Sequence, residues 1–306
     1  MKFAAAFFAL LFAAAAQAQD WDYSTVTAAD GVPLVVAETG NPDGPAVLFI
    51  HGYSQSLSSW KAQLNDPLLQ AAYRLVAVDL RGHSASGKPW AVDAYEPQDW
   101  GDDIATVIAE KNLNKPVLIG WSFGGTVMMS YVRHHGTDDI SGLIFAGGAM
   151  SFEPRADAPA FDDMDDLPPE VAELRRGMMQ MASPDIALNL AGTKLFVGQL
   201  AAVPLPDDTM DEALAYNMML PAYVRDAMGK NQTDFTDLAG NVKSPALLIH
   251  GAADALVPVS LAETNVGYLP NSELIVYDGI GHAPFLEDPA RFNADVMAFA
   301  ERVFAR

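Results

Sequence analysis

The chain is 306 residues long, contains no cysteine and carries a formal net charge of −21, with 39 acidic against 18 basic side chains. Its length suits one large α/β domain with an insertion, and its acidic field repels phosphates, which argues against nucleic acid and anionic membrane surfaces as partners. Without cysteine there is no disulfide, thiol nucleophile or thiolate metal site, and the six histidines include no pair with zinc-ligand spacing.

Lys2, the apolar run over 3–16 and Ala16-Gln17-Ala18 read as a signal peptide over 1–18, with a mature start at Gln19. The expectation is an exported protein, periplasmic or secreted, with no stable membrane insertion after cleavage. Residues 32–38 predict an early strand, and Asn41-Pro42-Asp43-Gly44-Pro45 a turn. Ala46-Val47-Leu48-Phe49-Ile50 is apolar throughout, as a parallel strand buried on both faces should be, and His51-Gly52 closes it. Residues 60–72 have helical spacing. Residues 75–79 predict a strand, followed by Arg81-Gly82-His83-Ser84. Residues 99–111 predict an amphipathic helix with Ile104, Val107 and Ile108 on its apolar face. Strands are expected over 117–120 and 140–146.

Between 150 and 242 the alternation breaks into a Pro-, Asp- and Met-rich stretch, with helices predicted over 170–181 and 211–228. Alternation resumes with strands over 246–250 and 274–277. A last helix over 291–303 places Phe292, Val296, Phe299 and Val303 on one face. The expected fold class is α/β. A mostly parallel central sheet carries helices on both faces, with core parts at 19–149 and 243–306 and a helical insertion at 150–242 over the sheet's C-terminal edge.

Gly120-Trp121-Ser122-Phe123-Gly124 stands between the strand over 117–120 and a helical pattern. Such a strand–serine–helix turn is a nucleophile elbow, in which a strained backbone pushes the hydroxyl out of the sheet edge. A serine hydroxyl needs a base. His282, in Gly281-His282-Ala283-Pro284, follows the last strand and can reach it. Asp254, after the strand over 246–250, supplies the carboxylate that fixes the imidazole tautomer; Asp278 is its nearest rival. Two backbone N–H groups must hold the oxyanion, and Phe123 and Tyr53 are placed to supply them. His51 is expected to order the oxyanion loop. Arg81 and His83 are expected to hold the loop after their strand, and Asp79 to act as a strand-end turn partner.

These motifs resemble those of the α/β-hydrolase superfamily over essentially the whole mature chain. The residues that carry the likeness are His51-Gly52-Tyr53-Ser54, Asp79-Leu80-Arg81-Gly82-His83-Ser84, Gly120-Trp121-Ser122-Phe123-Gly124-Gly125, Gly251-Ala252-Ala253-Asp254 and Gly281-His282. The resemblance implies Ser122 as nucleophile, Asp254 as acid, His282 as base, and Tyr53 and Phe123 as the oxyanion hole. It also implies that the segment 150–242 is a cap or lid. Relatives with aspartate at the elbow make alkyl-enzyme intermediates; serine suits acyl transfer instead.

The expected activity is a serine carboxylesterase with an acyl-enzyme intermediate, no cofactor and no metal. Its partner is a small-molecule ester, small to medium in size, uncharged and partly apolar. The enzyme alternatives are a lactonase, a cofactor-free haloperoxidase or perhydrolase, and a C–C bond hydrolase. The non-enzyme alternative is a ligand-binding protein on the same fold. Nine of the thirteen methionines fall between Met150 and Met228, where they either pack cap helices or line an acyl pocket.

Overall fold

The computed structural model describes residues 21–153, 169–230 and 233–305. The signal segment over 1–18 and the acidic cluster Asp162, Asp163, Asp165 and Asp166 lie outside the described residues.

Among the described residues eight strands form one sheet: Asp22–Thr27 (β1), Pro33–Gly40 (β2), Ala46–Ile50 (β3), Arg74–Val78 (β4), Val117–Trp121 (β5), Gly142–Ala146 (β6), Ala246–Gly251 (β7) and Ser272–Tyr277 (β8). Every residue of β3, β5, β6 and β7 is buried, which is why their sequences are apolar at nearly every position, His250 of β7 being the exception. Alternate side chains feed two cores. Leu48 and Ile50 of β3 point into one, Val47 and Phe49 into the other. Full burial of each such side chain contributes roughly 1.5–3 kcal/mol relative to exposure.

The strand order is β1-β2-β4-β3-β5-β6-β7-β8. β1 and β4 pair antiparallel to β2, and all other pairs are parallel. From β3 the chain first builds outward to β4, then returns to place β5 on the other side of β3. That reversal leaves a crevice outside the carboxyl ends of β3 and β5, the place where open α/β sheets bind ligands.

Lys61–Leu64 (α1) and Pro67–Ala72 (α2) follow β3, Pro97–Glu110 (α3) follows β4, and Phe123–His135 (α4) leaves β5 through a single residue. Pro169–Met181 (α5), Ile186–Val197 (α6), Asp207–Met218 (α7) and Ala222–Lys230 (α8) stand between β6 and β7. Val259–Val266 (α9) joins β7 to β8, and Pro284–Glu287 (α10) and Pro289–Phe304 (α11) follow β8. The amphipathic reading of α11 holds: Phe292, Val296, Phe299 and Val303 are all buried. α3 starts at Pro97, two residues before the expected position, where the Asp99 carboxylate accepts the Glu96 N–H at 3.0 Å in a capping box.

Two expected helices prove to be broken. The stretch over 60–72 divides into a 3₁₀ turn, α1 and α2, because Pro67 opens a new helix that Asp66 caps through the N–H groups of Leu68 and Leu69, both at 2.9 Å. The stretch over 211–228 divides into α7 and α8 at Pro221, which cannot donate a helical hydrogen bond. Helix α8 is clipped to the core: the Tyr223 hydroxyl donates to the Lys88 carbonyl at 2.9 Å, and its ring stacks on Trp90 with centres 4.0 Å apart. Among the described residues no helix is long and apolar enough to cross a membrane.

Candidate active site

Ser122 is the single residue between β5 and α4, at φ +52° and ψ −116°. A non-glycine residue there costs of order 1–3 kcal/mol, so its surroundings must impose it. They do so through three backbone bonds. The Ser122 N–H donates to Ala146 O at 2.9 Å, and Ser122 O accepts from Gly125 and Ala149 at 2.9 and 3.1 Å. Glycine is required on either side. A Cβ on Gly120 would stand 2.6 Å from the Gly124 backbone, and one on Gly124 would run into the Ile50 carbonyl.

His282 is buried in the loop after β8, and the loop after β7 brings Asp254 to it. His282 Nδ1 donates to Asp254 Oδ2 at 2.7 Å, and both side chains are shielded from solvent. That bond assigns the ring proton to Nδ1 and leaves the Nε2 lone pair to act as base. Burial alone would push the Asp254 carboxyl up. Hydrogen bonds from His250 and His282, the His282 ring and the Val257 N–H instead hold it well below the usual carboxylate range. Asp254 Oδ1 accepts the N–H groups of Leu256 and Val257, both at 2.9 Å. Asp278, the rival carboxylate, is exposed.

The loops that carry these residues touch. Trp121, next to the serine, donates its indole N–H to the His282 carbonyl at 2.8 Å. Gly147, one residue past the partner of Ser122, packs against the His282 and Asp254 side chains. On the other side Gly52, at the end of β3, lies against Ser122, so that a Cβ on it would stand 3.3 Å from the serine Cβ. Ser122, Asp254, His282 and the Tyr53 loop thus share one edge of the sheet, at the reversal of strand order.

The Tyr53 loop is held by two buried imidazoles whose rings meet edge-on at 4.9 Å. His51 Nε2 accepts the Leu80 N–H at 3.0 Å while Nδ1 donates to Gly52 O at 2.8 Å. His83 Nε2 accepts the Ser54 N–H at 3.1 Å while Nδ1 donates to Arg81 O at 3.0 Å. Both rings must be neutral to accept, and burial lowers both pKa values, His83 well below the ordinary value. Asp79 accepts the Leu57 N–H at 2.8 Å, as a strand-end turn partner would. Arg81 is buried and spans Asp103 at 2.6 and 2.7 Å. The bonds that close the two turns run from Gln55 to Gly52 O and from Gly125 to Ser122 O, so the N–H groups of Tyr53 and Phe123 take no part in them.

Three contributors have no local sequence signature. His250 ends β7 and donates through Nε2 to Val257 O at 2.8 Å, with Asp254 Oδ2 3.2 Å away. Glu287 accepts the Gly281 N–H and the Ala202 N–H, both at 2.8 Å, and so ties the histidine loop to the segment between α6 and α7. Arg225 of α8 lies with its guanidinium carbon 5.7 Å from the Tyr53 ring centre. The methionines divide: Met150, Met181 and Met228 are buried in the cores, whereas Met178, Met179 and Met219 are exposed. Among the described residues no three His, Asp or Glu side chains gather as a metal ligand set.

Comparison with known proteins supports the fold. A family model of the α/β-hydrolase fold matches residues 45–289. A non-heme haloperoxidase of Rhodococcus erythropolis is 27% identical over 279 residues, covering 90% of this chain and 98% of its own. A bifunctional esterase/perhydrolase of Acinetobacter calcoaceticus is 26% identical over 281 residues, with the same coverage of 90% and 98%. The crystal structure of an aryl esterase candidate from Burkholderia cenocepacia superposes with a TM-score of 0.82 at 34% identity, covering 93% of this chain and 100% of its own. With its sheet order, its elbow and a family match over most of its length, the chain belongs to the α/β-hydrolase fold family.

Proposed function

We propose that the protein is a serine hydrolase that cleaves carboxylic esters of small to medium, partly apolar substrates through an acyl-enzyme intermediate. The observation that carries this reading is the 2.7 Å bond from His282 Nδ1 to Asp254, on the same sheet edge as a serine forced to φ +52°. His282 Nε2 takes the Ser122 proton as Oγ attacks the ester carbonyl. The carbonyl oxygen becomes an oxyanion that accepts the N–H groups of Tyr53 and Phe123. The imidazolium, stabilised by Asp254, then protonates the leaving alcohol. Water enters, gives its proton to the same Nε2, and releases the acid from Ser122.

Helices α5–α8 act as the cap of this site, as the segment 150–242 suggests. A cavity of about 210 Å³ opens between α5, α6 and Ala255, beside the Asp254 loop, with Leu174 and Leu195 in its lining. Residues 1–18 direct export to the periplasm or medium. A second reading, perhydrolysis with peroxide in place of water, is favoured by the names of the haloperoxidase and esterase/perhydrolase relatives. The same triad serves it, because only the nucleophile of the second step changes.

The test is a panel of aryl esters, lactones and peracid formation, each beside a Ser122→Ala control. Turnover and fluorophosphonate labelling should both disappear in the variant, with kcat down by about a thousandfold or more. Ester turnover that survives the substitution would end the proposal.

A further inference from the structure

Arg225 has only 2% of its surface exposed. Its Nη2 donates to the Asn217 carbonyl at 2.5 Å, but Nε and Nη1 have no hydrogen-bond partner among the described residues. The Tyr53 hydroxyl is the other group that hydrogen-bonds to the guanidinium. Among the described residues no carboxylate pairs with it. A buried guanidinium keeps its charge, and a buried charge without a counter-ion is strongly unfavourable. Such a group persists where something in its working cycle supplies the anion. A second unpartnered donor stands on the same loop: Gln55, two residues past Tyr53, is 1% exposed and its amide nitrogen bonds to nothing among the described residues.

Position makes this more than an isolated defect. Arg225 and the Ser54 hydroxyl both donate to the carbonyl of Asn217 in α7, so α7 is docked on the loop that carries the Tyr53 N–H and α8 is tied to α7. Tyr53 therefore links two points. Its main chain carries the N–H assigned to the oxyanion, and its ring lies against the guanidinium. Clipping of α8 through Tyr223 to Trp90 and Lys88 keeps that spacing fixed.

We propose that Arg225 receives a carboxylate on the acyl portion of the substrate, so that the preferred esters are half-esters of short dicarboxylic acids. The reaction is that of the ester-hydrolase reading, on which this rests: the ester C–O bond is broken, water adds, and a dicarboxylate and an alcohol leave. In such a half-ester a short methylene chain joins the acid to the scissile carbonyl. A carboxylate would pair with the guanidinium charge and accept one of its unused N–H groups. The sequence led to an uncharged substrate because the net charge repels anions at long range. At contact, one desolvated arginine outweighs that screened field.

The test compares monomethyl with dimethyl esters of succinic, glutaric and adipic acid by pH-stat, beside calorimetric titration of the free dicarboxylates. The wild-type protein should favour at least one half-ester over its dimethyl ester by about tenfold or more in kcat/KM. The matching dicarboxylate should bind and inhibit competitively. In Arg225→Met the ratio of the two kcat/KM values should collapse to the neutral-ester side and dicarboxylate binding should vanish; Arg225→Lys should keep part of both. An equal loss on both ester types in Arg225→Met would mark a structural arginine and overturn the proposal. If the variants fail to fold, the wild type decides alone: no half-ester preference and no dicarboxylate binding overturn it. Ser122-dependent hydrolysis of the dimethyl esters together with that result would leave the ester-hydrolase reading standing while the carboxylate site falls.

Discussion

Asp254 is surrounded by donors: one imidazole at 2.7 Å, two backbone N–H groups at 2.9 Å, and His250 at 3.2 Å. Such a carboxylate stays ionised and cannot rotate, so the His282 ring is held in one tautomer and one orientation. Asp254→Asn keeps the shape but offers an N–H where the ring presents its own, which favours the wrong tautomer. Its kcat should fall by roughly 10³-fold or more with little change in melting temperature, as measured by ester hydrolysis beside a thermal scan. At this scale the residues legible in the sequence are those whose neighbours are constrained. Ser122 lies between glycines that packing demands, and His282 and Asp254 each follow an apolar strand. His250 and Arg225 escaped because nothing adjacent to them is unusual. What distinguishes them is burial, His250 under the Asp254–Val257 turn and Arg225 against the distant Tyr53 loop, which only the folded chain creates.

The order of strands decides where these residues meet. Because β5 returns to the far side of β3, the ends of both strands open onto one crevice, and Gly52 comes into contact with Ser122. Helix α4 must then start almost on top of β3, which only glycine at 124 allows. Gly124→Ala should cost about 2–4 kcal/mol, seen as a lower urea midpoint, because the methyl group meets backbone that cannot yield. The apolar strands were legible from composition alone, since burial on both faces leaves no polar positions. β1 was not: five of its six residues are not fully buried, with Val26 the exception, so an antiparallel edge strand carries little pattern. The helices over 60–72 and 211–228 were read too long because apolar spacing persists across Pro67 and Pro221, while the backbone does not. Helix α6 went unread because apolar residues surround it almost evenly, without the one-sided stripe that announces a surface helix.

For the molecule as a whole, the buried His51 and His83 couple folding to proton uptake. Their folded-state pKa values are depressed, whereas the unfolded chain titrates near about 6.5. The stability they contribute is therefore complete above about pH 6.5 and is lost as pH falls toward the depressed folded values, by about 1.4 kcal/mol per pH unit for each ring. Surface carboxylates take up protons mainly below about pH 5, and in the interval from 6.5 to 5 the two rings are opposed by one buried carboxyl, Asp103, which burial raises to about 6. Urea midpoints should decline across that interval; a flat profile would contradict neutral burial of the pair.

The clip between α8 and the core places one indole in a unique setting. Trp90 is 80% exposed and stacked on Tyr223, whereas Trp21, Trp60, Trp100 and Trp121 are at most 6% exposed. Acrylamide should therefore quench one red-shifted emitter out of five, and Trp90→Phe should remove that component. The protein carries its own optical gauge of how α8 is seated: ligand that tightens the helix should slow the quenching of this single tryptophan, and lifting of the helix should speed it.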